Sequence, residues 1–167
     1  KSSIGFDDVQ NLYVIISNKV LVSTDDMEQM LQYVSNGNQL FISASYIDEQ
    51  LLDTLGLKVQ YNSLISIFQN TPSSDSMRFA TVSMNDTNLF KKQQYGFFYY
   101  PFEGNFIRPG KNLSDMLGLN EFKEPNFISV THGNGRIFLH LHPETFSNYF
   151  LLSGSNKEYF EKVFGYA

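Results

Sequence analysis

Apolar residues in the first third of the chain follow the pattern of a strand, a helix and a second strand. Residues 12–16 (Leu-Tyr-Val-Ile-Ile) form an unbroken apolar run, which predicts a strand covered on both faces, and we expect it at the centre of a parallel sheet. Ser23 or Thr24 predicts the start of a helix whose apolar residues recur at helical spacing, and Gly37 predicts its end. Residues 40–42 predict the second strand, so the unit is a β-α-β crossover, expected to be right-handed.

The pattern changes in the middle of the chain. A short helix is predicted over residues 48–55, and from about residue 57 to residue 110 the helical spacing disappears. Short strand-like pieces, separated by Pro, Ser, Asn and Gly, replace it over residues 64–68, 77–84 and 95–102. We therefore predict an antiparallel insertion or extension here. Within it, residues 113–117 predict one or two helical turns that end at Gly118.

The last third of the chain returns to longer elements. Residues 126–130 and 136–141 have strand character and flank a His-Gly-Asn-Gly turn, which predicts a hairpin. Residues 146–152 and 156–164 are amphipathic and predict helices. Together these elements predict one α/β domain over residues 1–167: a three-layer sandwich with a mostly parallel central sheet and an antiparallel extension over residues 57–122.

The composition excludes several classes of protein. The 167 residues contain no cysteine, which excludes disulfides, thiolate metal sites and a cysteine nucleophile but leaves the redox compartment open. A net charge of −5 without a basic stripe argues against nucleic acid as a partner. No apolar run approaches the roughly 20 residues of a membrane-spanning helix, and no leader pattern opens the sequence.

Two histidines at the end of the last predicted strand are candidates for metal binding. His140 and His142 are two residues apart, so their side chains point to the same face of a strand. A zinc site would need a third ligand, and the sequence indicates none at zinc-site spacing. We expect instead that one histidine lies at a polar sheet end and the other is bonded to backbone, with no metal and no cofactor.

Residues 142–144 (His-Pro-Glu) come directly after a strand, where α/β folds place functional groups. This element and the preceding hairpin resemble the corresponding part of class I glutamine amidotransferases, in which the histidine is the general base for a cysteine and the glutamate orients the histidine. The resemblance implies those roles for His142 and Glu144 and places the nucleophile within residues 43–46. The cysteine that the family requires is missing from this sequence.

Ser45 is the candidate substitute for that cysteine, because a serine beside a positioned base can attack a carbonyl. Tyr46 and Ile47 follow it, however, whereas the strained turn that carries a nucleophile needs small neighbours. Catalysis by Ser45, His142 and Glu144 is therefore an alternative hypothesis, and a domain without catalytic residues is the leading one.

Two runs of residues carry a second resemblance, supported by single positions at Pro143, Phe146, Asn148 and Tyr149. The runs are residues 36–44 (Asn-Gly-Asn-Gln-Leu-Phe-Ile-Ser-Ala) and 133–136 (Gly-Asn-Gly-Arg). They are similar to the bacterial family called domain of unknown function 4350. The similarity implies an amidotransferase-like fold without the catalytic cysteine, in membrane-anchored bacterial proteins, often of Bacteroidetes. We therefore expect a soluble periplasmic domain, anchored through segments outside this chain, whose partner is another protein of the same membrane system.

Residues 95–102 form the densest aromatic stretch of the chain. On a strand these side chains would face both sides, so the stretch is either a buried strand or, in part, a surface for a ligand or partner. Polar tips interleave with apolar bodies as far as residue 108, which favours a surface near the strand ends that carry Ser43 and His142. The predicted members of this ligand or partner surface are Tyr99, Tyr100, Arg108 and His142.

The sequence thus leaves three functions open. The leading hypothesis is a non-catalytic binding or assembly domain of a membrane-anchored bacterial protein, because the nucleophile of the resembled enzymes is missing. The second is a serine-dependent amidase or hydrolase that uses His142 and Glu144. The third is a small-ligand or glycan-binding domain that uses the aromatic segment 95–108.

Overall fold

A computed structural model describes residues 10–61, 80–85, 94–97, 105–108 and 114–167. In these ranges the first elements are β1 (Leu12–Val20), α1 (Thr24–Ser35), β2 (Gln39–Ile47), α2 (Glu49–Thr54) and β3 (Lys58–Gln60). The middle of the chain contributes β4 (Ala80–Met84), β5 (Gln94–Phe97), β6 (Phe106–Arg108) and β7 (Ser114–Asn120). The last elements are β8 (Pro125–His132), β9 (Gly135–His140), a 3₁₀ turn (Pro143–Phe146), α3 (Asn148–Leu151) and α4 (Asn156–Phe164).

The ends of α1 follow the predicted chemistry. Ser23 caps the helix by accepting a hydrogen bond from the backbone N–H of Asp26, which satisfies one of the free donors of the first turn. Gly37 follows the helix with φ of 100°, a left-handed conformation that glycine adopts without steric cost. The predicted helix start at Ser23 and stop at Gly37 are both confirmed.

Seven of the described strands form one mixed sheet in the order β1-β2-β9-β8-β7-β4-β5. The pairs β1–β2 and β2–β9 are parallel, and the remaining pairs along the sheet are antiparallel. The α/β class is confirmed, but the expectation of a mostly parallel sheet holds only for the β1-β2-β9 part. The reason is that β7, β8 and β9 follow one another closely along the chain, and such short connections join antiparallel neighbours.

Helices cover the two faces of this sheet and give the expected three layers. On the face of α1 and α2, a core of aliphatic side chains includes Leu40 and Ile42 of β2 and Ile137 and Leu139 of β9. The opposite face, the aromatic face, carries a core that includes Phe41, Phe127 and Phe138 and packs against α3 and α4. Side chains of β2 and β9 alternate between these two cores, as strand geometry requires.

β1 lies at the edge of the sheet and not at its centre. Among the residues that the structure describes it pairs only with β2, and Leu12, Tyr13, Val14 and Ile16 are all substantially exposed. The prediction of a strand covered on both faces was therefore wrong. An unbroken apolar run indicates a strand, but it cannot show whether neighbouring elements are present to cover both faces.

Residues 113–117 were predicted as helical turns, and the described part of them belongs instead to the strand β7. Gly118, expected to end a helix, lies inside this strand, where a Cβ would meet the Cβ of Phe127 at 3.0 Å and the carbonyl oxygen of Ser83 at 3.2 Å. The glycine thus permits a close approach of neighbouring strands and does not terminate a helix.

The predicted antiparallel extension of the middle segment is confirmed by β4 and β5, which continue the main sheet, and by β3 and β6, which form a separate antiparallel pair. The strand predicted over residues 64–68 lies outside the described residues. Among the described residues, no helix has the length and apolar character needed to cross a membrane.

Candidate functional site

The parallel pairing of β2 with β9 brings a serine and a histidine together inside the sheet. Ser43 is the register partner of His140, and both side chains point to the aromatic face. The hydroxyl of Ser43 lies 3.0 Å from Nδ1 of His140. These two residues are 97 positions apart in the chain, so only the fold creates the pair.

Two further contacts define the state of His140. The backbone N–H of His142 donates to Nδ1 of His140 at 3.2 Å, so Nδ1 is an acceptor and the proton of a neutral ring resides on Nε2. Nε2 lies 2.8 Å from the hydroxyl of Tyr159 in α4 and can donate to it. Burial, together with the nearby His142, holds the pKa of His140 well below its usual value of 6.5. His140 is therefore a neutral imidazole in a chain of hydrogen bonds.

The Ser43–His140 pair has the hydrogen bond of a nucleophile and its base but lacks access. Ser43, His140 and Tyr159 are each fully buried, and burial raises the pKa of Tyr159, which keeps that hydroxyl neutral. In a serine hydrolase a carboxylate holds the second ring nitrogen and stabilises the imidazolium, whereas here that nitrogen faces a tyrosine. The hydrogen bonds of His140 connect β2, β9 and α4, and the buried Ser43–His140 pair is not accessible to a substrate.

The residues predicted from the amidotransferase resemblance lie close together in a different arrangement. The hydroxyl of Ser45 donates to Oε1 of Glu144 at 3.2 Å, and not to His142. His142 is 1% exposed, and burial lowers its pKa to about 3. Its ring packs against that of His140, with the centroids 6.2 Å apart. The structure thus brings Ser45 and Glu144 together and places the third candidate in the interior.

A groove opens beside this Ser45–Glu144 contact. It has a volume of about 530 Å³ and runs between the carboxyl end of β1 and the 3₁₀ turn. Its lining combines apolar and polar side chains, namely Ile16, Ser17, Asn18, Pro143, Glu144, Phe146 and Ser147. The position matches the general rule that open α/β sheets bind ligands outside the carboxyl ends of their parallel strands. Among the described residues, the lining contains one carboxylate, that of Glu144, and no cationic side chain.

The predicted aromatic surface is only partly described. Tyr95 is a core residue, 1% exposed, with its ring 5.4 Å from that of Tyr159 and its hydroxyl 2.8 Å from Nζ of Lys162. Arg108 is exposed in β6 and lies over the ring of Phe106 at 5.4 Å. Tyr99 and Tyr100 lie outside the described residues, so the surface that they were predicted to form stays a prediction.

One contact links this segment to the strand ends. The side-chain amide of Asn105 donates to the backbone carbonyl of Ser45 at 3.3 Å. The beginning of β6 therefore lies beside the carboxyl end of β2.

Within the described ranges there is no group of three or more His, Cys, Asp or Glu residues that could hold a metal ion. The structure therefore adds no support to metal binding by His140 and His142.

Sequence reasoning missed Ser43 and Tyr159 as partners of His140. Alternation along β2 and β9 was visible in the sequence, and it places Ser43 and His140 on faces that match once the two strands are neighbours. What the sequence did not provide was the register between strands so far apart in the chain. Tyr159 lies on the buried side of a predicted helix and could have been assigned to the core.

Comparison of the sequence with protein families gives one result over nearly the whole chain. Residues 5–164 match the family described as Domain of unknown function (DUF4350). A search of curated protein sequences found no match.

Solved structures share the fold at low sequence identity. The N-terminal domain of mmIFT52 has a TM-score of 0.64 at 11% identity, covering 93% of this chain and 75% of that one. Gan42B, a GH42 beta-galactosidase from G. stearothermophilus, has a TM-score of 0.50 at 13% identity, covering 93% of this chain and 21% of the galactosidase. The cytoplasmic protein STM1381 from Salmonella typhimurium LT2 gives 0.48 at 11% identity, over 84% and 58% of the two chains. The likenesses to the mmIFT52 domain and to Gan42B show a shared α/β fold, and a shared fold does not by itself indicate an activity.

Proposed function

The chain belongs to the DUF4350 family, and from this premise we propose that it is a non-catalytic binding or assembly domain with an amidotransferase-like fold. The proposal extends to its setting: a membrane-anchored bacterial protein that carries the domain outside the cytoplasm through segments beyond this chain. The family resemblance described above supports that setting.

The observation that carries the non-catalytic assignment is the disposition of the serines and histidines. Ser45, the candidate nucleophile, is half-buried and hydrogen-bonded to Glu144, and a carboxylate is too weak a base to deprotonate a serine hydroxyl efficiently. The histidines that could serve as bases are both buried. Covalent catalysis needs nucleophile and base in contact and open to the substrate, and the described residues offer no such pair.

Assays for hydrolysis test this assignment directly. The purified domain should release no ammonia from glutamine and no product from simple aryl esters above the buffer rate, and a fluorophosphonate probe should leave its serines unlabelled. Turnover that disappears in both Ser45→Ala and His142→Ala would overturn the proposal in favour of a serine-dependent amidase or hydrolase. Turnover lost only in Ser43→Ala would do the same and would identify the buried pair as the site.

The location has its own test. In a cell that produces the full-length protein, this domain should be digested by protease added to spheroplasts, and it should remain in the membrane fraction after a salt wash. Protection from protease until the inner membrane is broken would contradict the extracytoplasmic setting.

A second candidate function is the binding of a small polar ligand, and the groove beside Glu144 favours it. The groove is lined by hydrogen-bonding side chains and by apolar ones such as Phe146, and ligand sites of this size combine the same two kinds of side chain. Because the described part of its lining has one carboxylate and no cation, the groove suits a neutral polyhydroxylated or amine-bearing ligand better than an anion. A thermal-shift screen of saccharides, amines and carboxylates separates these classes. Hits that persist in Glu144→Gln and Phe146→Ala would place binding elsewhere.

A further inference from the structure

The edge strand β1 lacks the features that usually protect a sheet edge. Residues 11–18 contain no charged side chain and no proline, and Lys19 is the only charged residue of β1. Exposed edge strands are normally kept from pairing by lysines, prolines, bulges or a covering element. In β1 these appear only at the far end, where the hydroxyl of Ser17 bonds to both the N–H and the C=O of Lys19.

The direction of the free backbone groups follows from the pairing with β2. The carbonyl of Asn11 accepts a hydrogen bond from Gln39, and backbone groups alternate between the two sides of a strand. The N–H and C=O groups of Leu12, Val14 and Ile16 therefore point away from β2. Because β1 ends the order of strands in the described part of the chain, these groups have no ladder partner there.

Apolar side chains accompany this open edge on both faces of the sheet. Leu12, Val14 and Ile16 lie on the aromatic face and are 37%, 40% and 44% exposed, and none of them belongs to the core on that face. On the other face Tyr13 is 56% exposed, and Ile15 is only partly covered by the aliphatic core. An occupant that satisfies the backbone and covers both faces at once is another strand.

We propose that this strand is β1 of a second copy of the chain, paired antiparallel about a two-fold axis at Val14. In this register Leu12 faces the partner's Ile16 and Tyr13 faces the partner's Ile15, so the pairs formed within residues 12–16 are all apolar. The free groups of residues 12, 14 and 16 then form hydrogen-bonded pairs. The inference names the partner for the assembly role proposed above and rests on it.

Two properties of the chain favour a second copy over an unrelated partner. Five consecutive apolar residues centred on Val14 make the strand complementary to itself, as an isologous interface requires. Each chain carries a net charge of −5, yet this edge brings no like charges together. A stable interface buries roughly 800 Å² per partner, more than two short strands supply, so the exposed ring of Phe160 beside Phe146 must also contribute.

Sedimentation of the whole chain tests the proposal. At about 100 µM the wild type should sediment with twice the mass of one chain, because a dimer with a micromolar dissociation constant is nearly complete at that concentration. Val14→Lys should weaken the dimer about 100-fold or more, because it sets two like charges opposite each other. Mixing Val14→Lys with Val14→Glu should restore a heterodimer. Leu152→Lys, a change at a residue that is 86% exposed on a distant helix end, should remain dimeric.

A cysteine crosslink tests the register. Because the chain has no cysteine of its own, a mixture of Tyr13→Cys and Ile15→Cys chains should form a disulfide-linked dimer on mild oxidation, since these positions face each other as a non-hydrogen-bonded pair with Cα atoms about 4.5 Å apart. Lys19→Cys should not crosslink in this register. A monomeric wild type, or a folded Val14→Lys chain that still dimerises, would overturn the proposal. Neither result would affect the non-catalytic assignment, which the hydrolysis assays decide separately.

Discussion

Two buried histidines govern how the interior responds to acid. His140 and His142 are both inaccessible to water, and burial disfavours the charged form of an imidazole. The pKa of His142 is lowered to about 3 and that of His140 is also well below 6.5. In the unfolded chain both would titrate near 6.5. Below that pH the unfolded state therefore binds more protons than the folded state.

This difference predicts a loss of stability in mild acid. Since the unfolded chain binds more protons below pH 6.5, the free energy of unfolding falls as the pH drops from 6.5 towards 3. Below pH 6.5 His142 contributes about 1.4 kcal/mol per pH unit, or about 2 kcal/mol between pH 7.5 and pH 5, and His140 adds to the loss in the same direction. Urea unfolding at pH 7.5 and pH 5 measures the loss.

The variants His142→Gln and His132→Gln separate this effect from general acid denaturation. His142→Gln should reduce the pH dependence by the share of one histidine, whatever its stability at pH 7.5. His132 lies in the hairpin and is partly exposed, so His132→Gln should keep the wild-type slope. Equal slopes in all three proteins would show that His142 does not titrate as its burial implies.

At the scale of residues, local sequence indicated some neighbours and not others. Ser45 and Glu144 were predicted to lie near each other and are hydrogen-bonded. His142 was predicted beside them as a base, but alternation along the chain turns its ring inwards next to His140. Whether a side chain at a strand end faces solvent depends on the covering helices, and a three-residue motif does not contain that information.

Among the elements, the β8–β9 hairpin is fixed to the end of α1 through its glycines. Gly133 has φ of 58°, and a Cβ there would meet the Cα of Ser35 at 2.7 Å and its Cβ at 2.9 Å. At Gly135 a Cβ would clash with the backbone carbonyls of Asn38 and Val34. The turn therefore touches the helix backbone, and glycine is needed for space as well as for conformation.

Gly133→Ala and Gly154→Ala separate these two requirements. Gly154 has nearly the same conformation, φ of 54°, but open space where a Cβ would lie. Gly154→Ala should cost about 1 kcal/mol for the left-handed backbone alone. Gly133→Ala should cost roughly 3 kcal/mol, because the clash with Ser35 adds to the same strain. Thermal and urea unfolding compare them, and similar losses would mean that the hairpin can move away from α1.

The elements that the sequence predicted correctly are those with strong local signals. Capping at Ser23, the glycine stop of α1 and the amphipathic spacing of α4 act within a few residues. The errors at β1 and β7 arose where the local pattern is ambiguous. The apolar run of β1 suits a central or an edge strand, and the leucines and Gly118 of β7 fit a helix as well as a strand until β8 is known to lie beside them.

In the molecule as a whole, β9 is an interior strand of the sheet although it lies near the end of the chain. It lies between β2 and β8 and joins the parallel part of the sheet to the antiparallel part. Its side chains Ile137, Phe138 and Leu139 are fully buried and belong to the cores on both faces. Neither half of the sheet is covered or hydrogen-bonded correctly without it.

Truncation tests this dependence. A chain that ends at residue 132 should lack a cooperative unfolding transition, since removing β9 and α4 exposes both cores. A chain that ends at residue 165, which keeps α4 and its final hydrogen bonds, should still unfold cooperatively with a modest loss of stability. Differential scanning calorimetry distinguishes the two, and a sharp transition in the shorter chain would show that the N-terminal part folds alone.

The order of the strands could not be predicted from the sequence, although the α/β class could. Alternating strand and helix signals indicated the class and the crossover between β1 and β2. β2 has two parallel neighbours, β1 and β9. β9 is distant in the chain, and no residue near β2 indicates that this strand will pair with it. β9 belongs both to the hairpin with β8 and to the parallel pair with β2. Its position therefore depends on contacts between distant parts of the chain.

The position of β9 between β2 and β8 also has a consequence for synthesis of the protein on the ribosome. When β2 has emerged, its partner is still about a hundred residues away, which corresponds to roughly 5–20 s of translation in bacteria. During that interval Leu40, Phe41 and Ile42, which are fully buried in the finished protein, have no neighbour on one side. The nascent chain should therefore be a client of ribosome-associated chaperones until β9 emerges.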